Sequence, residues 1–162
     1  MGVAACLDYY AALLGQDREM WSITGILHDF DYEQHPDEHP LWGMSLLQQT
    51  GWPDEIVEAI AAHYPAKTGV EPTSSLQRHL FACDELSGFI TAVTYVRPSK
   101  SVLEVEVKSV TKKLKTLAFA AGVNRDDVTR GADLIGLPIE EHIDNCIKAM
   151  QAKAGELGLA GV

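Results

Sequence analysis

The chain has 162 residues, 46% of them apolar and 22% charged, which is the usage of an ordinary soluble globular protein and the length of a single domain. Thirteen basic against 23 acidic side chains leave a net charge of −10, which argues against broad non-specific nucleic-acid binding and requires local cations for any anionic ligand. No apolar run approaches a membrane span. Cys6, Cys83 and Cys146 are far apart with no C-x-x-C, so they read neither as a disulfide framework nor as a thiolate zinc site, and a reducing cytoplasmic setting is expected.

The periodicity is helical nearly everywhere. Val3, Cys6, Leu7, Tyr10, Leu13 and Leu14 fall at three- and four-residue steps up to Gly15, a natural helix stop. This opening segment lacks a basic n-region and carries Asp8 early, so it does not read as a signal peptide. Asp17 can cap the next helix, whose buried side is Met20, Trp21, Ile23, Thr24 and Leu27, and which runs into His28-Asp29. A loop with two prolines follows. LWGMSLLQQT is helical from about Pro40 to Gly51, and Pro53 suits the first turn of EIVEAIAAH.

YPAKTGVEPTS reads as a loop. Ser74 or Ser75 caps a long helix to about Tyr95, with Leu76, Leu80, Cys83, Leu86 and Ile90 along it, and Arg97-Pro98 ends it. LEVEV alternates like a strand, but KSVTKKLKTL is helical, so a turn plus helix is favoured there. Asn124 caps DDVTRGADLIG, Pro138 opens the last helix through about Gly158, and residues 159–162 are expected to fray. The expectation is one all-α domain, 1–162, of about seven or eight helices with almost no strand.

Chemistry can come from His28-Asp29 at a helix end, His39 before Pro40, His63 at another helix end, and Asp84 on or beside the buried stripe of the long helix. A buried carboxylate costs several kcal/mol unless it is paired or binds metal. Imidazoles with carboxylates suit Mn, Fe, Co, Ni or Zn, whereas an oxygen-only set would suit Mg or Ca. Each residue also has a plain structural reading: His28 and His63 as histidines at a helix C-terminus, His39-Pro40 as a helix start, Asp84 as a capping or paired carboxylate. Asp31 can orient a ligand, accept a proton, or simply cap its loop. His35, His79 and His142 read as structural, and Trp21, Trp42 and Trp52 as core or lid packing. Arg97 and Lys100, in the R-P-S-K turn, are the best candidates for substrate phosphate. Lys108, Lys112, Lys113 and Lys115 are rim cations or a solvated helix face.

The blocks G-I-L-H-D-F-D-Y, H-P-L-W-G, A-I-A-A-H and A-C-D-E-L-S-G, in that order, resemble the HD-domain superfamily of metal-dependent phosphohydrolases. The chain looks most like its small single-domain HDIG-type members. Y-V-R-P-S-K-S, V-K-S-V-T-K-K-L-K and G-V-N-R-D-D resemble their C-terminal half, and the resemblance covers roughly residues 3 to 158. It implies an HD-type helical bundle that binds one or two divalent ions. His28, Asp29 and Asp84 would be metal ligands, Asp29 would bridge two ions, and His39 and His63 would serve the second. The implied reaction is hydrolysis of a small phosphorylated substrate by metal-activated water, with Asp29 and Asp31 as the catalytic carboxylates. The first histidine of the family pattern would fall about two residues before Met1, so the first ion is expected to lack one imidazole. Two rivals follow: a metal-binding or ligand-sensing domain that has lost turnover, and a di-iron oxygenase on the same scaffold.

Overall fold

Three of the helix starts follow from side-chain capping. Asp17 accepts the Met20 N–H at 3.0 Å, Asn124 accepts those of Asp126 and Asp127, and Ser74 and Gln77 form a reciprocal capping box. In the computed structural model, which describes residues 1–162, these starts belong to three of nine α-helices. The nine are α1 (Gly2–Leu14), α2 (Arg18–Leu27), α3 (Leu41–Gln49), α4 (Asp54–His63), α5 (Pro65–Thr68), α6 (Ser75–Tyr95), α7 (Val107–Leu114), α8 (Arg125–Leu134) and α9 (Ile139–Ala152). A 3₁₀ turn, Val102–Glu104, precedes α7, so LEVEV is a turn leading into a helix rather than a strand. Gly15 closes α1 at φ 65°, a left-handed conformation that glycine adopts without Cβ strain.

The helix beyond the expected seven or eight is α5, a single turn where a loop was read. Pro65 at its first position and Gly69 behind it are enough to close one turn. Two helices end earlier than expected, α7 at Leu114 and α9 at Ala152 rather than near Gly158. The segment after α7 is irregular because the Arg125 guanidinium donates to the carbonyls of Phe119, Ala120 and Val123, satisfying backbone groups without a helix. The expectation of a frayed tail at 159–162 is wrong. Leu159 is buried, its carbonyl accepts the Val102 N–H at 2.8 Å, Ala160 bridges Ser101, and the Val162 N–H reaches Ser99 O.

The core is built around α6. Leu80, Cys83, Leu86, Phe89 and Ile90 are wholly buried on it, and α1, α4, α8 and α9 pack around that stripe. A fully buried Leu or Phe is worth about 1.5–3 kcal/mol, so this helix carries much of the stability. A smaller cluster of Leu47, Ile56, Val57 and Ile60 ties α3 to α4, with Ile23 and Leu27 of α2 against it. Holding α2 and α4 against α6 brings the end of α2, the end of α4 and the middle of α6 to one side. No helix is long and apolar enough to cross a membrane.

Candidate metal centre

Three histidines converge because a backbone or side-chain acceptor fixes each ring from behind. His28 Nδ1 donates to Gly25 O at 2.8 Å, and His63 Nδ1 to Ile60 O at 2.5 Å. His39 Nδ1 donates to Asp31 Oδ1 at 2.7 Å. A carbonyl or carboxylate only accepts, so in each neutral ring Nε2 is left as a bare lone pair. All three Nε2 atoms point at Asp29. His28 Nε2 lies 3.3 Å from Asp29 Oδ2 and 3.4 Å from Asp84 Oδ1. His39 and His63 Nε2 lie 3.3 and 3.8 Å from Asp29 Oδ1, and 3.2 Å from each other.

This arrangement is repulsive without a cation. With Nδ1 of His39 and of His63 each donating to an oxygen, their Nε2 atoms face each other at 3.2 Å without a proton to share in the neutral form, and His28 Nε2 is buried with no hydrogen-bond partner. Burial alone would lower the pKa of His28, but the Asp29 and Asp84 carboxylates outweigh it and push it up to about 10. Burial raises Asp29, yet the His28 ring beside it brings it down to about 2. Burial holds His63 below its ordinary value and so favours the neutral ligand form. A divalent ion in place of the His28 proton satisfies the same groups. The donor set therefore fits such a metal, as two trios sharing Asp29: His28, Asp29, Asp84 and Asp29, His39, His63.

Two expectations for these residues change. Asp84 is not buried: its side chain is 29% exposed on the cleft wall, while Cys83 beside it is fully buried. The orphaned polar atom is on His28 instead. Asp31 does not face the reaction space as a catalytic carboxylate. It is buried behind His39, with one oxygen on His39 Nδ1 and the other accepting the Gly43 N–H at 2.8 Å. It is a positioning residue that sets the His39 tautomer.

The proposed phosphate contacts Arg97 and Lys100 are also misplaced. Both follow the C-terminus of α6, and Arg97 lies thirteen residues beyond Asp84, about 20 Å along a helix axis. Arg97 faces Glu104 at 3.7 Å, and Lys100 is exposed beside the C-terminal tail. No lysine or arginine lines the cleft of about 410 Å³ over the site. Lys108, Lys112, Lys113 and Lys115 are also outside it, and Lys113 sits 4.6 Å over the Phe119 ring. The cleft wall adds Tyr32, Tyr64, Phe81, Glu85, Asn124 and Asp127, which sequence reasoning passed over. Asn124, expected only as a helix cap, bonds Asp127 one turn on, and that cap places both at the rim. A second hollow of about 380 Å³, reaching Met1 and Gly2, shares Asp29 and Asp84 with the first.

His79 and His142 have structural surroundings. His79 packs between Tyr10 and Trp21, and His142 bonds Tyr10 and Ala82 O. His35 stacks on Trp42 at 3.9 Å.

An all-helical bundle that gathers three imidazoles and two carboxylates around one cleft has the donor set of a divalent-metal domain. The chain belongs to the HD-domain family, whose profile matches residues 1–88, more than half of it. HD domains bind divalent metals and are generally hydrolases. Among curated proteins it is similar to Ribonuclease Y of Desulfotalea psychrophila, 39% identical over 90 residues, which are 53% of this chain and 16% of that protein. It is also similar to Ribonuclease Y of Oleidesulfovibrio alaskensis, 35% identical over 91 residues, 54% of this chain and 17% of that one. The chain thus aligns with only about a sixth of these relatives' length. No solved structure gives a significant match.

Proposed function

We propose that this chain is a divalent-metal phosphohydrolase acting on a small phosphate ester, nucleotides included. One observation carries the reading: Asp29 presents one oxygen to His28 and the other to His39 and His63, with His28 Nε2 orphaned and buried between two carboxylates. His28, Asp29 and Asp84 would hold one ion, and Asp29, His39 and His63 a second. A divalent ion there supplies charge neutralisation at phosphate oxygens and a water of lowered pKa. Mn, Fe, Co, Ni and Zn suit the mixed nitrogen and oxygen donors, and Mg suits them less well.

The protein's own groups shape the rest. Asp31 holds the His39 lone pair toward the cleft. Asp29, Asp84, Glu85 and Asp127 make the wall acidic, so a phosphate enters only when a cation is bound. Tyr32, Tyr64 and Phe81 give flat apolar surfaces to the organic part of an ester. The cleft has no basic track for a polymer backbone, which supports a small substrate over a long nucleic acid. The relatives' name favours a second reading, cleavage of an RNA phosphodiester.

The test is purified protein with Mn²⁺ or Co²⁺, offered an aryl phosphate, a nucleotide panel and a short RNA. Phosphate release from the small esters, abolished by a chelator, is expected. Asp29→Ala should lose both bound Mn²⁺ and hydrolysis with helicity retained, and unchanged Mn²⁺ content in that variant would sink the assignment. Cleavage of RNA alone selects the second reading. Tight metal binding without turnover selects a ligand-sensing domain. Iron as purified, with oxygen uptake, selects the di-iron oxygenase.

A further inference from the structure

The three cysteines that are scattered in sequence meet in space. Cys6 comes from α1, Cys83 from α6 and Cys146 from α9, and their Sγ atoms all lie within 4.8 Å of one another. All three are free thiols, wholly buried. They are every cysteine in the chain. Buried thiols often serve as small apolar fillers, one at a time. Here three helices each turn one inward to a single point.

A fourth donor stands beside them. His142 Nδ1 is 3.7 Å from Cys146 Sγ. Its Nε2 faces Ala82 O at 2.9 Å and so carries the ring proton, leaving Nδ1 as a lone pair that accepts the Tyr10 hydroxyl at 2.7 Å. This is the tautomer a metal-binding histidine takes when its other nitrogen is held by a carbonyl. In a tetrahedral zinc site, Zn–S and Zn–N bonds of about 2.3 and 2.0–2.1 Å put sulfurs about 3.8 Å apart and nitrogen about 3.6 Å from sulfur. The triangle of thiols needs to tighten by about 1 Å at most to reach that size, and His142 Nδ1 already has the required spacing to Cys146, while the ring must shift toward Cys6 and Cys83 to complete the site.

We propose that Cys6, Cys83 and Cys146, with His142 as the fourth donor, form a second metal site for a soft d¹⁰ cation, Zn²⁺ or Cu⁺. Thiolates select such cations, whereas the cleft offers only nitrogen and oxygen donors, so the two sites sort metals by ligand softness. The thiol protons pass to solvent as the metal–sulfur bonds form, and the Tyr10 hydroxyl gives up His142 Nδ1. A bound ion would clamp α1, α6 and α9 from within. Cys83 and Asp84 are neighbours on α6, one facing the core and the other the cleft, so the clamp would also steady one wall of the catalytic site.

The thiols are sealed from solvent, so the protein is refolded under reducing conditions with cobalt(II) as the spectroscopic stand-in for zinc. Thiolate ligands give cobalt a charge-transfer band in the near ultraviolet that nitrogen and oxygen ligands do not. The band should saturate at a single equivalent per chain and persist in Asp29→Ala. It should vanish in Cys6→Ala and Cys146→Ala. A parallel arm presents Cu⁺ against a chromophoric chelator, and withdrawal of a single equivalent identifies copper as a competent ion. Should the cysteine variants lose their helical circular dichroism, the parent and Asp29→Ala decide between them. Cobalt bound without a charge-transfer band, with no copper taken from the chelator, overturns the proposal.

Discussion

At the scale of single residues, the site depends on which nitrogen of each imidazole carries the proton. Asp31 decides this for His39, and its two oxygens already accept two donors, His39 Nδ1–H and Gly43 N–H. Asparagine has the same shape but only one acceptor. Asp31→Asn therefore leaves one donor unmatched or forces the proton onto His39 Nε2, where it blocks the lone pair. We expect metal affinity to fall about 10–100-fold with helicity intact, as for other residues that orient a ligand. Calorimetric titration with Mn²⁺ reads this, and an unchanged affinity would mean that His39 is not a ligand. His79 illustrates the opposite use of a histidine. It is buried against Tyr10 and Trp21, with Nδ1 on Ser75 O, and burial holds its pKa below the ordinary value. A depressed pKa means that the folded state binds fewer protons than the unfolded chain in mild acid. Its contribution to stability is thus complete above about pH 6.5 and is lost as pH falls from there through the folded value. His79→Leu should flatten the fall in stability between pH 7.5 and the acid side by up to about 1.4 kcal/mol per pH unit. Urea unfolding in chelator at several pH values measures it, and parallel slopes for parent and variant would contradict it.

At the scale of elements, two glycines on the central helices test where backbones touch. A Cβ on Gly131 of α8 would stand 2.6 Å from Ala82 Cα on α6, a contact that backbone cannot relieve by a rotamer change. Alanine gains about 0.8–1.0 kcal/mol of helix propensity over glycine, while overpacking costs about 1–3 kcal/mol. The clash wins, and Gly131→Ala should destabilise the protein and loosen the rim that carries Asn124 and Asp127. Gly88, inside α6, meets nothing within 4 Å, so Gly88→Ala should stabilise by about the propensity term. Denaturant midpoints of the two variants should move in opposite directions, and a shared direction would refute the packing argument. Element starts were readable in sequence because their cause is local: Asp17, Ser74 and Asn124 each cap within three residues. What depends on distant partners was not. The tail is held by residues 99–102, and the cysteines meet only because α1, α6 and α9 share one junction. Arg97 and Lys100 looked like phosphate ligands by type, but the length of α6 carries them away from the cleft. The proposed metal donors His28, Asp29, His39, His63 and Asp84 were legible as types in a known order, whereas the burial of Asp31 and the exposure of Asp84 followed from packing.

At the scale of the whole molecule, the cleft is a seam between elements that do not otherwise need to meet. Its donors come from the end of α2, the α2–α3 loop, the last residue of α4 and the middle of α6. Without a cation, the seam gathers Asp29, Asp84, Glu85 and Asp127 in a chain that already carries a net charge of −10. A divalent ion reverses that repulsion and ties the seam, and because the unfolded chain cannot present the same donors together, binding energy becomes folding energy. At a free concentration about a hundred times Kd, one bound ion adds about 2.7 kcal/mol. For a chain of this size, each kcal/mol raises Tm by about 2–4 °C, so the midpoint should rise by about 5–11 °C in Mn²⁺ and fall back in chelator. Sodium chloride at the same ionic strength should give far less, since screening relieves the repulsion but supplies no ligand bonds. Asp29 belongs to both trios, so Asp29→Ala should lose the whole shift, whereas His63→Ala, which damages one trio only, should keep part of it. Scanning calorimetry of the three proteins with and without metal separates these outcomes. A shift of the same size in Asp29→Ala as in the parent would show that the stabilising ion sits away from the cleft.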